Sequence, residues 1–367
     1  MKRIAIKEVC EVYDGPHATP KKTDNGPVYL GIDAITEDGM LDPSQFAHLS
    51  EEDYVKWTKR VTPQENDIVF SYEATLGRYA VIPKNFYGCL GRRLAIVRII
   101  NDELNAKWLY YYFRSPEWTS FIKNQTVKGS TVDRISIEEF PEYTIPVISL
   151  EDQNKIVDVL DKIDRKIADN KKINDYLEQQ ALLIFRYMFK NISNGSNHVG
   201  DYITPKRGKA LLSKDAIPGQ FPVIAGGLLP ATYHNRANTV APVLTISGSG
   251  ANAGYVNIWH DPIWSSDSSF IDYEMTTNVY FWYAFLKLRQ QDIFDIQTGS
   301  AQPHIYPKHI AELSIGNIDR FQIASYITQV TPLFTKAGAN IRETKRLQQL
   351  RDWLLPMLMN GQVTIED

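Results

Sequence analysis

The sequence predicts an α+β protein in which two mixed α/β units are separated by two long helices. The helices are expected to pair as an antiparallel coiled coil, giving a pseudo-twofold, near-cyclic repeat. Three observations carry this reading. From Ile156, alternating steps of four and three give Ile156, Leu160, Ile163, Ile167, Asn170, Asn174, Leu177, Ala181, Ile184 and Met188. This is an apolar seam at coiled-coil spacing with two asparagines at its centre. Adding 170 to each number gives Tyr326, Val330, Leu333, Ala337, Asn340, Thr344, Leu347, Arg351, Leu354 and Leu358, again polar in the middle. Finally, the segments ahead of the two seams repeat one order of elements.

The first unit, residues 1–149, opens with dense turn signals at Asp14-Gly15, Asn25-Gly26-Pro27 and Asp38-Gly39. Strand-type runs follow at 27–32, 67–72, 79–82 and 94–99, then helices at 106–113 and 116–123. Ser149, with Asp152 three residues on, caps the first long helix, within 150–193. The polar run NISNGSN then leads to the second unit, residues 194–316. There FPVIAGG replaces GPVYLGI, VLTISGSGANAGYVNI replaces IVFSYEATLGRYAVI, and NVYFWYAFLK replaces AKWLYYYFRS. Gly129-Ser130 falls on Gly299-Ser300 at the same offset of 170. The second long helix lies within 317–360; Pro332 predicts a kink or restart, Gly338 a weak middle, and Pro356 a limit to the end. The tail, 361–367, resembles the linker after the first helix and is expected to lead back toward the N-terminal strand.

Composition excludes several classes. With 43% hydrophobic and 23% charged residues the chain has the profile of a soluble globular protein. Cys10 and Cys89 have no metal-ligand spacing, so neither zinc nor a disulfide framework is expected. No apolar run reaches the ~18 residues of a membrane span, and a cytoplasmic location is expected. Net charge is −3, and no segment is a basic block, so any nucleic-acid surface must come from charges gathered on one face or supplied by partners.

Catalytic motifs are missing. There is no P-loop and no HExxH. Asp261-Pro262-Ile263-Trp264 approaches the loop with which amino-methyltransferases hold a base, but lacks its second proline and any Gly-rich cofactor loop; a strand-to-turn segment is the better reading. Asp164-x-Lys166 and Glu343-x-Lys345 have a nuclease-like form but lie on the long helices, where such charges are ordinarily solvated.

What recurs is binding equipment at matched loops. In the first unit these are His17, Lys21, Lys22, Tyr72, Arg78, Arg92, Arg93, Lys128 and Ser130. In the second they are Lys206, Arg207, Lys209, Ser249, Asn252, Ser266, Ser268, Ser300, Gln302 and His304. Such side chains bond phosphates and base edges. Asn170, Asn174, Asn340 and Thr344 are candidates for fixing helix register, with Asn170 expected beside Thr344 and Asn174 beside Asn340.

The order of unit, helix, unit and helix, together with IPVISLEDQNKIVDVLDKID, the paired Gly-Ser motifs and the ending LRDWLLPMLMNGQV, resembles the specificity subunit of type I restriction-modification systems. The resemblance implies two target recognition domains, each reading one half of a bipartite, asymmetric site in double-stranded DNA, with the helices setting the spacer. It further implies two modification subunits performing S-adenosylmethionine-dependent adenine methylation, and motor-nuclease restriction subunits using ATP and Mg2+. No catalysis and no cofactor or metal are then expected in this chain. Helices of 35–40 residues make rods of roughly 50–60 Å, long enough to separate two major-groove readers by the ~34 Å that one helical turn requires. Two alternatives differ in class. One is a coiled-coil scaffold whose α/β units bind proteins, the other a self-contained methyltransferase, and DNA mobility shift and bound S-adenosylmethionine would distinguish them.

Overall fold

A computed structural model describes residues 2–128, 132–299, 302–363 and 365. The chain divides into two units: residues 1–165 with 347–367, and residues 166–346.

In the first unit the elements run β1 (Lys2–Ala5), β2 (Cys10–Asp14), β3 (Thr23–Leu30), β4 (Ala47–His48), α1 (Glu51–Trp57), β5 (Ile68–Ser71), β6 (Tyr79–Val81), β7 (Gly88–Leu90) and β8 (Leu94–Ile99). After them come α2 (Ala106–Phe113), α3 (Pro116–Gln125) and β9 (Thr144–Val147). β2-β8-β5-β6 form an antiparallel sheet, and β4-β3-β7 a second one in which β3 and β7 run parallel. β1 pairs with β9. The strand positions predicted at 67–72, 79–82 and 94–99 and both helices are present, whereas α1 and the three-residue β7 carry too little pattern to be seen in advance.

In the second unit the strands are β10 (Asn197–His198), β11 (Lys206–Arg207), β12 (Phe221–Ile224), β13 (Thr232–His234), β14 (Val243–Ser247), β15 (Val256–Trp259), β16 (Trp264–Ser265), β17 (Ser268–Asp272) and β18 (Ser314–Ile315). Their sheets are β11-β17-β14-β15 and β13-β12-β16, with β12 parallel to β16, and a β10-β18 pair. The topology reproduces the first unit strand for strand. The two units share one scaffold.

The long helices are α4 (Leu150–Met188) and α8 (Arg320–Met359); between β17 and β18 lie α5 (Val279–Leu288), α6 (Gln290–Asp295) and α7 (Pro307–Ala311). Ser149 Oγ accepts from the Asp152 amide at 3.1 Å and caps α4. Within the second unit the helices are antiparallel: Gln322 reaches the Met188 carbonyl at 2.6 Å, Tyr326 the Ala181 carbonyl at 3.3 Å, and Thr344 lies 3.4 Å from Asn170. Each unit has one large core in which helix meets sheet. Ile156, Leu160, Leu355 and Leu358 enter the first with Trp108, Phe113 and Phe140; Ala181, Phe185, Tyr326 and Val330 enter the second with Phe281 and Trp282.

The expected restart at Pro332 does not occur, for α8 is one helix of 40 residues. Pro332 and Thr328 are both exposed, so the Thr328 carbonyl that lost its amide partner faces water, and buried Val330 and Phe334 hold the turn in place. Pro356 is likewise inside the helix, in its last turn. Of the tail, Ile365 packs against the first core, which also holds Ile4 of β1.

Candidate nucleic-acid interface

At one end of each main sheet, five backbone segments meet through the same four hydrogen bonds. In the first unit the Gly15 amide donates to Leu94 O at 2.7 Å, Tyr72 to Arg93 O at 3.1 Å, Ile135 to Tyr72 O at 2.8 Å and Gly91 to Leu30 O at 2.8 Å. In the second, Gly208 donates to Ser268 O at 2.8 Å, Gly248 to Asp267 O at 3.0 Å, Ile305 to Gly248 O at 3.0 Å and Ser266 to Ile224 O at 2.8 Å. A small antiparallel clasp closes over each meeting point. Val127 and Arg134 exchange bonds in one unit, Thr298 and His304 in the other, and Arg134 and His304 bridge onward to Glu73 and Ser249. A Cβ on Gly15 would stand 2.7 Å from Gly91 O, and one on Gly208 2.5 Å from Ser265 O, so only glycine lets these strands cross.

This bond-for-bond match sets the side chains in register, and their charges are exchanged. Asp14 in the first unit stands where Arg207 stands in the second, Arg93 where Asp267 stands, and Glu73 where Ser249 stands. Arg93 lies 3.2 Å from Glu73, while Asp14 pairs with Arg60 at 2.7 Å and with His17 at 3.0 Å. In the second unit Asp267 takes both Arg207 and the Ser249 hydroxyl. The backbone cluster is fixed by the scaffold, and its electrostatic face is set independently in each unit.

The structure gathers most of the sequence candidates around these two clusters. Arg92 and Lys128 are exposed beside the first, and His17, Lys21 and Lys22 lie in the segment leaving β2. Lys206, Lys209 and Gln302 are exposed at the second; Ser249, Asn252 and His304 are half-buried there, His304 stacked on Tyr306 at 6.0 Å. Ser130 and Ser300 lie outside the described residues.

Four candidates need correction. Tyr72 is 5% exposed, and burial pushes its phenol pKa up. Ser268 is fully buried, bonding Ser265 at 2.8 Å and the Ile224 carbonyl at 3.2 Å. Ser266, 5% exposed, accepts the Leu211 amide at 2.9 Å. Ser268 ties the two sheets of its unit together and Ser266 holds the Leu211 segment, whereas the Tyr72 hydroxyl is buried without a hydrogen-bond partner. Arg78 is anchored to the Ile35 carbonyl at 3.1 Å and to Glu37 at 3.4 Å, so it braces a loop.

One exposed cation escaped the sequence reading. Arg236, beyond β13, lies over the Trp264 ring at 5.6 Å, and the Trp264 indole donates to the Lys209 carbonyl at 2.8 Å. The stacked guanidinium keeps its N–H fork free. A lone arginine in a loop gives no pattern; only the fold places it beside Lys209.

The helical polar layer is also formed. Asn340 donates to Asn174 Oδ1 at 2.9 Å, and Asn174 to the Ala337 carbonyl at 3.3 Å. Asn170 donates to Glu343 at 2.9 Å and to Thr344 Oγ1 at 3.4 Å, and that bond, with Lys166 nearby, holds the Glu343 carboxyl below its ordinary pKa.

Residues 1–179 match the family model of the type I restriction modification DNA specificity domain. The N-terminal part of the chain thus carries a type I restriction modification DNA specificity domain. The type I restriction enzyme MjaIX specificity subunit of Methanocaldococcus jannaschii is 23% identical, over 87% of this chain and 82% of the relative. The crystal structure of the type I restriction-modification S subunit from M. genitalium shares the fold, with TM-score 0.57 and 19% identity over 97% of this chain and 95% of that one. The domain match and the likeness along the chain support a role in DNA specificity. Among the described residues no cluster of metal-ligating side chains occurs, and no helix is long and apolar enough to cross a membrane.

Proposed function

We propose that each unit reads one half of a bipartite, asymmetric target in double-stranded DNA through its loop cluster, and that the paired helices hold the two readings at a set spacing. The observation that carries this is the exchange of charge on an unchanged backbone. Asp14, Arg93 and Glu73 in one unit become Arg207, Asp267 and Ser249 in the other, so two surfaces of one shape present different donors and acceptors. Phosphate contacts would come from Lys21, Lys22, Arg92, Lys128, Lys206 and Lys209, and base edges would be read by the side chains nearer the clasps.

In this reading the chain is non-catalytic and cytoplasmic. Two modification subunits would dock on it and methylate adenine with S-adenosylmethionine, and restriction subunits would add ATP- and Mg2+-dependent motor and nuclease activity. A mobility shift on duplex DNA tests it, with the chain alone and co-expressed with its modification subunits. Sequence-selective retention by the assembled complex is expected. Methyl transfer by the isolated chain, or a complex indifferent to sequence, would contradict it.

A further inference from the structure

Gly338 sits in the middle of α8, where glycine is the poorest ordinary helix former. A reason for it stands opposite. A Cβ at 338 would lie 2.8 Å from His260 Cβ and 3.1 Å from its Cγ, closer than carbon atoms pack. His260 belongs to the turn between β15 and β16, so the reading domain rests its turn in a notch cut in the helix.

The notch is one rung of a ladder at four-residue spacing, the repeat of one helix face. Phe334, a turn before Gly338, stacks on Tyr280 of α5 at 4.3 Å and lies 6.1 Å from the His260 ring. Arg342, a turn after, pairs with Asp261 at 2.9 Å. Lys345 lies over the Tyr233 ring at 5.2 Å. Ring stack, notch, ion pair and cation–π contact thus run along three turns, and His260 Nδ1 is sealed inside without a hydrogen-bond partner.

The other long helix is different at the matching positions. Asp164, in the place of Phe334, bonds Tyr111 and Arg351, and the two positions beyond it, Ala168 and Lys172, are exposed. The repeat is therefore asymmetric at this joint.

We propose that Gly338 and His260 are positioning residues. Their close contact fixes the angle of the second reading domain on its helix, and through it the spacer length the protein accepts. This rests on the bipartite reading above. Both would act through the joint and not on the DNA itself.

The test uses the complex assembled with its modification subunits and a duplex selected by the wild type from a randomised pool, then remade with one base pair added to or removed from the spacer. Gly338→Ala should improve the helix while pushing the domain off it. Preference for the native spacer should fall at least fivefold, with base discrimination within the first half-site unchanged. His260→Gly in the same chain returns the space and should restore part of the preference. His260→Ala, which adds no atom, should also loosen spacing and serves if Gly338→Ala does not fold. A wild type that discriminates spacers beside variants that do so equally well overturns the joint alone. A wild type indifferent to spacing overturns the bipartite reading and this inference with it.

Discussion

Asn340 donates to Asn174 across 2.9 Å, joining two helices at positions 166 residues apart where the surrounding seam is apolar. Asn170 and Asn340 are both buried. Buried amides pair in only one alignment, whereas leucines pack in several, so the layer trades stability for register. Replacing Asn170 and Asn340 together by leucine should leave the melting temperature unchanged or raised while loosening spacer discrimination. Asn340→Leu alone strands the Asn174 oxygen and should cost about 1 kcal/mol. Denaturant melts with spacer-variant duplexes check both; a tightly discriminating double variant would remove the layer's role in register.

Arg351 interrupts the second seam where the pattern asks for an aliphatic residue. Its guanidinium bonds Asp164 at 2.9 Å, and Asp164 also accepts the Tyr111 hydroxyl at 2.8 Å. Burial opposes the Arg351 charge, yet the bonds to Asp164 and Asp352 outweigh it and raise its pKa. Arg351→Leu leaves Asp164 without its cation and should cost about 3 kcal/mol in chemical denaturation. The double change with Asp164→Leu should cost clearly less; equal losses would mean that the pair is uncoupled.

His260 predicts a pH dependence. Burial, with Arg342 beside it and Asp261 partly opposing, lowers its pKa from 6.5 to about 4. The folded protein thus holds this ring neutral where the unfolded chain would protonate it. Stability from this group is complete above pH 6.5 and drains away as pH falls toward 4, by at most ~3 kcal/mol. His260→Phe should flatten that part of the stability profile. A mutant profile that falls as steeply as the wild type's would assign the acid loss elsewhere.

Salt dependence separates free cations from neutralised ones. Arg92 and Arg236 are exposed, whereas Arg207 is paired with Asp267. Arg92→Gln and Arg236→Gln should each reduce the slope of log K against log salt by roughly 0.9 in the assembled complex. Arg207→Gln should change it far less, because it also frees Asp267. Three equal slopes would sink the distinction.

The repeat, the helices and their pairing are legible in the sequence because coiled-coil periodicity and an offset of 170 survive divergence of everything between them. The loops are legible only as types. Tyr72, Ser266 and Ser268 look like surface donors until the sheets close over them, since a two-residue period does not say which face is inside when both are covered. Asp267 neutralising Arg207 is a contact across 60 positions, and Arg236 on Trp264 joins a loop to a strand. Gly338 reads as a weak point in a helix, and its purpose appears only when His260 stands opposite. Pro332 is tolerated for a reason the chain order cannot state, namely which side of the helix meets water.

Replacing residues 194–316 by the corresponding segment of a relative tests the central claim most directly, with methylated sites mapped for the assembled complex before and after. Two separate readers on one scaffold predict that one half of the recognised sequence changes while the other half is kept. Simultaneous change of both halves would contradict the two-reader account.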